Sequence, residues 1–275
     1  MSGSFVRTRS ERVWGAVELL IVVTVLALLS IPLLVILPIS FSAGSMLVLP
    51  TPGWSLQWYE EVLTTRLWQD AAANSFYTAT VATVLATTLG TLAALGIHQL
   101  GGWPKRLLSA LALAPLLVPI AIIAVSSFFF FAWAGLVRTY TGIILELTVL
   151  AMPYVVITVG ATLQKYDANL NRAAASLGAS PLSAFMTVML PIIAPGIVAG
   201  ALFAFVVAFD EVVIVLFIAA PEQQTLPRVI YSGIRENISP AVAAAAVMLC
   251  AVSMLLMFAA ELIRRRTARL RSTGI

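Results

Sequence analysis

Six apolar stretches dominate this sequence, each as long as the roughly 20 helical residues that the core of a bilayer requires. They run over Ala16–Ser40, Ala71–Ile97, Leu107–Leu136, Gly142–Leu163, Pro191–Ala220 and Pro240–Ile263. Barrel strands alternate apolar and polar residues over about ten positions. Unbroken runs of this length therefore leave helices, which satisfy their own backbone polar groups in lipid. Only 10% of the 275 residues are charged, against about 25% in soluble domains. The expected fold class is an all-α membrane protein with six transmembrane helices, forming one domain over residues 1–275. Pro32, Pro115, Pro119 and Pro153 fall inside the stretches and predict kinks held by neighbouring helices. The first stretch outruns the ~7–15-residue apolar core of a signal peptide, so it is expected to stay as a span.

The charges predict an orientation. Arg7, Arg9 and Arg12 precede the first stretch, Lys105 and Arg106 follow the second, and Lys165 and Arg172 follow the fourth. Arg264, Arg265, Arg266, Arg269 and Arg271 follow the last. Basic residues concentrate on the cytoplasmic side of membrane proteins, so both termini are expected there. The net charge of +4 comes from these flanks and implies no nucleic-acid partner. A lone cysteine, Cys250, excludes an intrachain disulfide or a paired-cysteine metal site. A lone histidine, His98, lies at a membrane edge and reads as an interfacial residue.

Two exterior segments stand out. Between Phe41 and Asp70, "TPGWSLQWYEEVL" predicts a turn followed by a short amphipathic helix. Trp54, Trp58 and Tyr59 in it suit the membrane interface, where amphipathic rings concentrate. The segment "PEQQTLPRVIYSGIRENIS" joins the last two spans. The chain carries no glycine-rich nucleotide loop, and so no visible energy source of its own.

The longest cytoplasmic loop, residues 164–190, predicts a helical hairpin. Leu170, Ala173, Ala174 and Leu177 share one helical stripe. Gly178 suits the left-handed residue that ends a helix. Ser180 then caps a second helix that has Pro181 at its first position. Pro191 and Pro195 are expected to open the next span. By spacing alone the hairpin fits a docking element and a helix pair lying on the bilayer equally well.

"FAFVVAFDEVVIVLF" places Asp210 and Glu211 within the fifth apolar stretch. A carboxylate at mid-bilayer carries an insertion cost of roughly 2.5–3.5 kcal/mol, so such residues are functional by default. Asp210 is read as lining a translocation cavity and attracting a cation, with Glu211 sharing that work or bracing helix packing. A structural ion pair or an interhelical hydrogen bond is the alternative. Glu146, in the fourth stretch, is a third candidate, unless it merely reaches interfacial water.

The run "RAAASLGAS", followed after nine residues by "LPIIAPGI", resembles the EAA loop of ABC importer permeases. The resemblance implies a type I ABC importer permease fold in which this loop docks into a cytoplasmic ATPase. Ala173, Ala174, Leu177, Gly178 and Ala179 would form the contact core, with Ser180 and Pro181 opening the second helix. The family's leading glutamate is Arg172 here, which reverses the charge at that contact. The implied partners are a second homologous permease, two copies of the ATPase subunit and a periplasmic solute-binding protein. The implied location is the bacterial inner membrane. ATP and magnesium would bind the ATPase, so this chain is expected to hold no cofactor and to perform no bond chemistry.

"FDEVVIVLF", "TLPRVIYSGIRENISPAVAA", "SFSAGS" and "QWYEEVL" further resemble the second membrane subunit of spermidine/putrescine-type importers. Within that subgroup Trp58 and Asp210 fall at positions associated with polyamine recognition. An aromatic face and a carboxylate suit an ammonium group, although Trp58 equally suits an interfacial belt. A gradient-driven transporter using Asp210 and Glu211 as an ion relay is the competing reading; it predicts inverted repeats and has no use for the hairpin. An intramembrane enzyme would need a nucleophile with its base, or clustered metal ligands, which the single histidine and cysteine do not supply.

Overall fold

The computed structural model describes residues 9–236 and 239–272; Arg7 lies outside them. Among these residues the regular structure is helical, apart from an isolated bridge between Ser42 and Trp54. The chain divides into two compact units.

The first unit holds Met1–Val62 and Ile238–Met248. Helix α1 (Arg9–Ser40) contains Pro32 and Pro38 and exposes its apolar side chains along most of its length, as with Leu19 at 64% and Leu29 at 69%. Beyond it the chain folds back on itself. The Ala43 amide donates to the Gly53 carbonyl at 3.0 Å, and that of Ser55 to the Phe41 carbonyl at 2.7 Å. Helix α2 (Gln57–Thr64) is the expected short amphipathic helix. The hydroxyls of Ser40 and Tyr59 bond at 2.7 Å, and the Phe41 and Tyr59 rings lie 4.9 Å apart.

The second unit holds Leu63–Asn237 and Leu249–Ile275. Its centre is made by α3 (Arg66–Gln99), α6 (Tyr140–Leu163) and α9 (Leu190–Phe209). Helices in lipid gain little from hydrophobic association, so close packing of small residues holds them together. Accordingly α3 buries Ala71, Ser75, Ala79, Ala82, Ala86, Gly90 and Ala94, while α9 buries Ile193, Gly196, Gly200, Ala204 and Ala208. Larger residues of α6, among them Leu147, Val155 and Val159, fill the space between. A β-carbon on Gly90 would fall 2.8 Å from that of Val155.

Two of the expected spans differ in form. The third is not one helix: α4 (Gly102–Leu113) passes through a 3₁₀ turn, Ala114–Leu116, and α5 (Ile120–Trp133) departs at 97°. Each proline removes an amide donor and disfavours helical backbone before it. With Pro115 inside the turn and Pro119 capping α5, the two break the helix where one would bend it.

The fifth span begins at Pro181, ten residues earlier than expected, and its helix ends at Phe209. It starts as α8 (Pro181–Ala184), widens into a π-helical turn over Phe185–Met189, and continues as α9. The turn closes with the Leu190 amide on the Phe185 carbonyl, directly ahead of Pro191, which has no amide to offer the ladder. Asp210 and Glu211 therefore lie in a break between α9 and α10 (Val213–Ile218), outside any helix. After α11 (Leu226–Glu236), α12 (Pro240–Ser272) is continuous, with its apolar part at Pro240–Leu255. Among the described residues, Val17–Ser40, Arg66–Gln99, Tyr140–Leu163 and Pro181–Phe209 are each long and apolar enough to cross a membrane. The bent α4–α5 pair makes a fifth crossing if counted as one.

Candidate functional site

The hairpin between α6 and α9 has the local geometry its sequence prescribes. Helix α7 (Asn169–Ser176) starts after Asp167, whose carboxylate accepts from the Asn169 amide at 2.9 Å. It ends with two crossed bonds, Gly178 amide to Ala175 carbonyl at 2.9 Å and Ala179 amide to Ala174 carbonyl at 3.0 Å. Gly178 sits at φ +86°, the left-handed conformation such an ending requires. Ser180 Oγ accepts from the Ser183 amide at 3.3 Å, and Pro181 occupies the first helical position.

The hairpin presents large apolar side chains outward beside the charged Arg172. Leu177 is 88% exposed and Leu182 70%, while Arg172 and Ala173 are also exposed and Ala174 is half-buried. The Tyr166 hydroxyl donates to Asn171 Oδ1 at 2.6 Å and ties α7 to the end of α6. Burial, reinforced by the neighbouring Asp167 charge, holds the Tyr166 phenol above its ordinary pKa, so it remains a donor. Beneath the hairpin lies a cavity of about 410 Å³ between the end of α3, at Leu95 and Gln99, and the hairpin residues Asn171, Ala175, Ala179 and Phe185.

The three acidic candidates have different surroundings. Asp210 follows the last residue of α9, and its side chain is exposed. Glu211 is half-buried, and its Oε1 accepts from the Ile214 amide at 3.0 Å. Glu146, on α6, is 6% exposed and hydrogen-bonds to Ser127 on α5, with the Glu211 carboxyl as its electrostatic neighbour. Trp58 belongs to the first unit, where its indole N–H donates to the Ser42 carbonyl at 2.8 Å.

Beyond the break, a polar network that sequence reasoning does not reach fixes residues 218–226. Asn74 Nδ2 donates to the carbonyls of Glu222 and Gln224 at 2.9 and 3.0 Å, and its Oδ1 accepts from the Tyr140 hydroxyl at 2.7 Å. Ser75 Oγ accepts from the Leu226 amide at 2.8 Å. Gln223 accepts from the Ala220 amide and donates to the Arg138 carbonyl. Arg138 takes a positive φ of 62°, with its amide on the Ile218 carbonyl at 2.8 Å. Arg228 Nη1 donates to the carbonyls of Val215 and Ala219 at 3.1 and 3.3 Å. Burial lowers the Arg228 pKa from its ordinary value, yet a guanidinium stays charged through any such shift.

The described residues thus contain a long apolar helix that runs from an exposed hairpin to a carboxylate, and no group of three or more potential metal ligands. Residues 86–269 match the model of the family described as binding-protein-dependent transport system inner membrane component. The chain belongs to this family.

Among curated proteins, this permease is similar to the spermidine/putrescine transport system permease protein PotC of Escherichia coli (strain K12). The two are 28% identical over 87% of this chain and 90% of the relative. It is 32% identical to the putrescine transport system permease protein PotI of the same strain, over 79% of this chain and 80% of the relative. Among solved structures it resembles a chain of a bacterial alginate ABC transporter in complex with an alginate pentasaccharide-bound periplasmic protein. That match has a TM-score of 0.73 and 16% identity, over 94% of this permease and 96% of the other chain. At this identity the likeness speaks for the fold alone. The EAA-loop resemblance read from Arg172–Ile197 lies within the matched family region.

Proposed function

We propose that this permease is one transmembrane half of an ATP-driven importer in a bacterial inner membrane, moving a small cationic solute of the polyamine class inward. The observation that carries the reading is the continuity of Pro181–Phe209. At about 1.5 Å per residue this 29-residue helix is some 43 Å long. One end is the exposed, small-residue hairpin that a cytoplasmic partner can grip. The other end is Asp210. A push on Ala173, Ala174, Leu177, Gly178 and Ala179 would therefore travel along a single rod to the carboxylate.

The solute class rests on chemistry. The Asp210 carboxylate is exposed at the end of an apolar helix, where it attracts an ammonium group more strongly than it would in bulk water. An aromatic ring such as that of Trp58 suits an ammonium group through cation–π contact, and its indole N–H is engaged by the Ser42 carbonyl. The two Escherichia coli relatives carry spermidine or putrescine in their names, which supports the same class. Hydrolysis of ATP would reside in two copies of a partner subunit, with a second homologous permease completing the pathway. A periplasmic binding protein would deliver the solute, as the alginate-bound periplasmic protein accompanies the transporter of similar fold.

The test is purification of the tagged chain in mild detergent from its host, followed by reconstitution and uptake of labelled spermidine and putrescine. Co-purification of an ATPase and a second permease, with ATP-dependent uptake, is the expected result. A chain that purifies alone and transports down an ion gradient would overturn the proposal in favour of a relay through Asp210 and Glu211.

A further inference from the structure

Helix α10 spans only Val213–Ile218. A helix leaves its first four amides and last four carbonyls without intrahelical partners, so at six residues it has almost no ladder of its own. Isolated helices shorter than about 12 residues are marginal even in favourable sequences. Something outside α10 must hold it, and each end has a charged side chain of the sign that the helix dipole favours.

At the start, Glu211 Oε1 accepts from Ile214, and the amides of Val213 and Val212 converge on the same carboxylate. At the finish, Arg228 Nη1 spans the carbonyls of Val215 and Ala219. Apolar contacts complete the seat: Ile214, Val215 and Ile218 are fully buried in the cluster that includes Phe131, Ile143 and Leu147. Asp210, one residue before Glu211, is not drawn into this clamp; its own amide closes α9 on the Val206 carbonyl at 3.0 Å.

We propose that Glu211 and Arg228 are positioning residues for the solute site, and that Glu211 is not a second carboxylate ligand for the solute. This rests on the reading of Asp210 as the solute-contacting group. The Glu211 carboxylate is directed at backbone amides, and its work is to fix the direction in which the chain leaves α9. Arg228, on α11, anchors the far end of α10 to the segment that Asn74 and Ser75 pin. The break therefore joins a rod continuous with the hairpin to a clamped six-residue helix. Asp210 is the first residue beyond the rod, and Glu211 is the first on the clamped side.

A glutamine at 211 keeps the acceptor oxygen and loses the charge; an alanine loses both. In the reconstituted transporter, spermidine uptake by Glu211→Gln is expected to keep its KM within about threefold of wild type, since a neutral side-chain oxygen still caps. Glu211→Ala, in complexes that assemble to the same yield, is expected to raise KM about tenfold, with Arg228→Met moving in the same direction and Arg228→Lys recovering part of the loss. The conservative variants separate positioning from simple destabilisation. A Glu211→Gln transporter whose KM rises as far as that of Asp210→Asn would make Glu211 a charged ligand and overturn the inference, as would a wild-type KM for Glu211→Ala. Failure of Glu211→Gln to assemble would overturn it too, because the cap is retained. The Asp210→Asn variant judges the underlying reading separately: wild-type uptake there would remove the ligand itself.

Discussion

Gly200 on α9 and Thr158 on α6 are packed so closely that a β-carbon on the glycine would lie 2.5 Å from Thr158 Oγ1 and 3.0 Å from the Val155 backbone. The threonine cannot swing aside freely, because its hydroxyl bonds the Tyr154 and Val155 carbonyls at 3.0 and 3.1 Å. One turn earlier Gly196 meets Thr162 in the same way. The α6–α9 seam thus depends on the absence of side chains. Gly200→Val is expected to destabilise the detergent-solubilised permease by about 1–3 kcal/mol through overpacking, read as a lowered midpoint for thermal aggregation. Gly196→Val should behave alike. A change on the exposed side of the same helix, Val198→Thr, serves as the control and should move the midpoint little. Equal midpoints for all three would remove the seam.

Gly178 offers a different kind of constraint. Nothing lies within 4 Å of a β-carbon built there, so bulk alone is tolerated, but its φ of +86° is unfavourable for other residues. The left-handed conformation costs a residue with a β-carbon roughly 1–2 kcal/mol, least for asparagine. ATP-dependent uptake should therefore fall in the order Gly178, Gly178→Asn, Gly178→Ala, Gly178→Val, while the amount of assembled transporter stays constant. A valine variant as active as the asparagine one would separate coupling from the geometry of this turn.

How far the sequence revealed this molecule depends on whether the deciding contact is local. The hairpin was legible to the residue, since Gly178, Ser180 and Pro181 each act within four positions of themselves. The apolar runs likewise marked where helices lie. They did not mark where helices stop, because hydropathy reports the surrounding medium and is blind to continuity. The break at 210–212 lies inside an apolar run, and only a Glu three residues before Ile214 hinted at a cap. The sequence predicts a kink at Pro115 and Pro119, but two prolines four residues apart take donors from adjoining turns and break the helix, whereas Pro32 and Pro38, six apart, stay within α1. The network on Asn74 was invisible for another reason: its partners, Glu222 and Gln224, are 148 and 150 residues away.

By the resemblance to the EAA loop, Arg172 takes the place of a glutamate, and the fold makes no use of its charge. Its side chain is exposed, and its carbonyl accepts from Ser176 Oγ at 3.0 Å. Restoring the acid with Arg172→Glu should leave the permease's stability within about 0.5 kcal/mol of wild type, as is usual for exposed substitutions. Its effect should instead fall on the partner. Charges at an interface rim act chiefly on association rate and its salt dependence, so ATPase stimulation is expected to weaken several-fold at low salt and to converge on wild type at high salt. Identical stimulation at every ionic strength would mean that residue 172 does not face the docked subunit.

Asn74 is the residue whose loss should loosen the segment 218–226 most for the least change in volume. It makes three bonds, two donated to backbone carbonyls and one accepted from Tyr140, and its substitution strands all three partners. A fully buried polar group left stranded costs about 1–3 kcal/mol; here the Glu222 carbonyl is exposed and the other two partners are part-buried, so the loss is smaller. Asn74→Asp retains the acceptor for Tyr140 but turns both donors into acceptors facing carbonyls, so it should be worse than Asn74→Ala. Hydrogen exchange of the peptide covering residues 219–228 reads this directly: faster in alanine, faster still in aspartate, with α7 unchanged in both. Because Arg228 and Gln223 lie on that peptide, its loosening should carry through α10 to the break and raise the KM for spermidine. Faster exchange at 219–228 with an unaltered KM would mean that the Asn74 network stabilises the fold without setting the site.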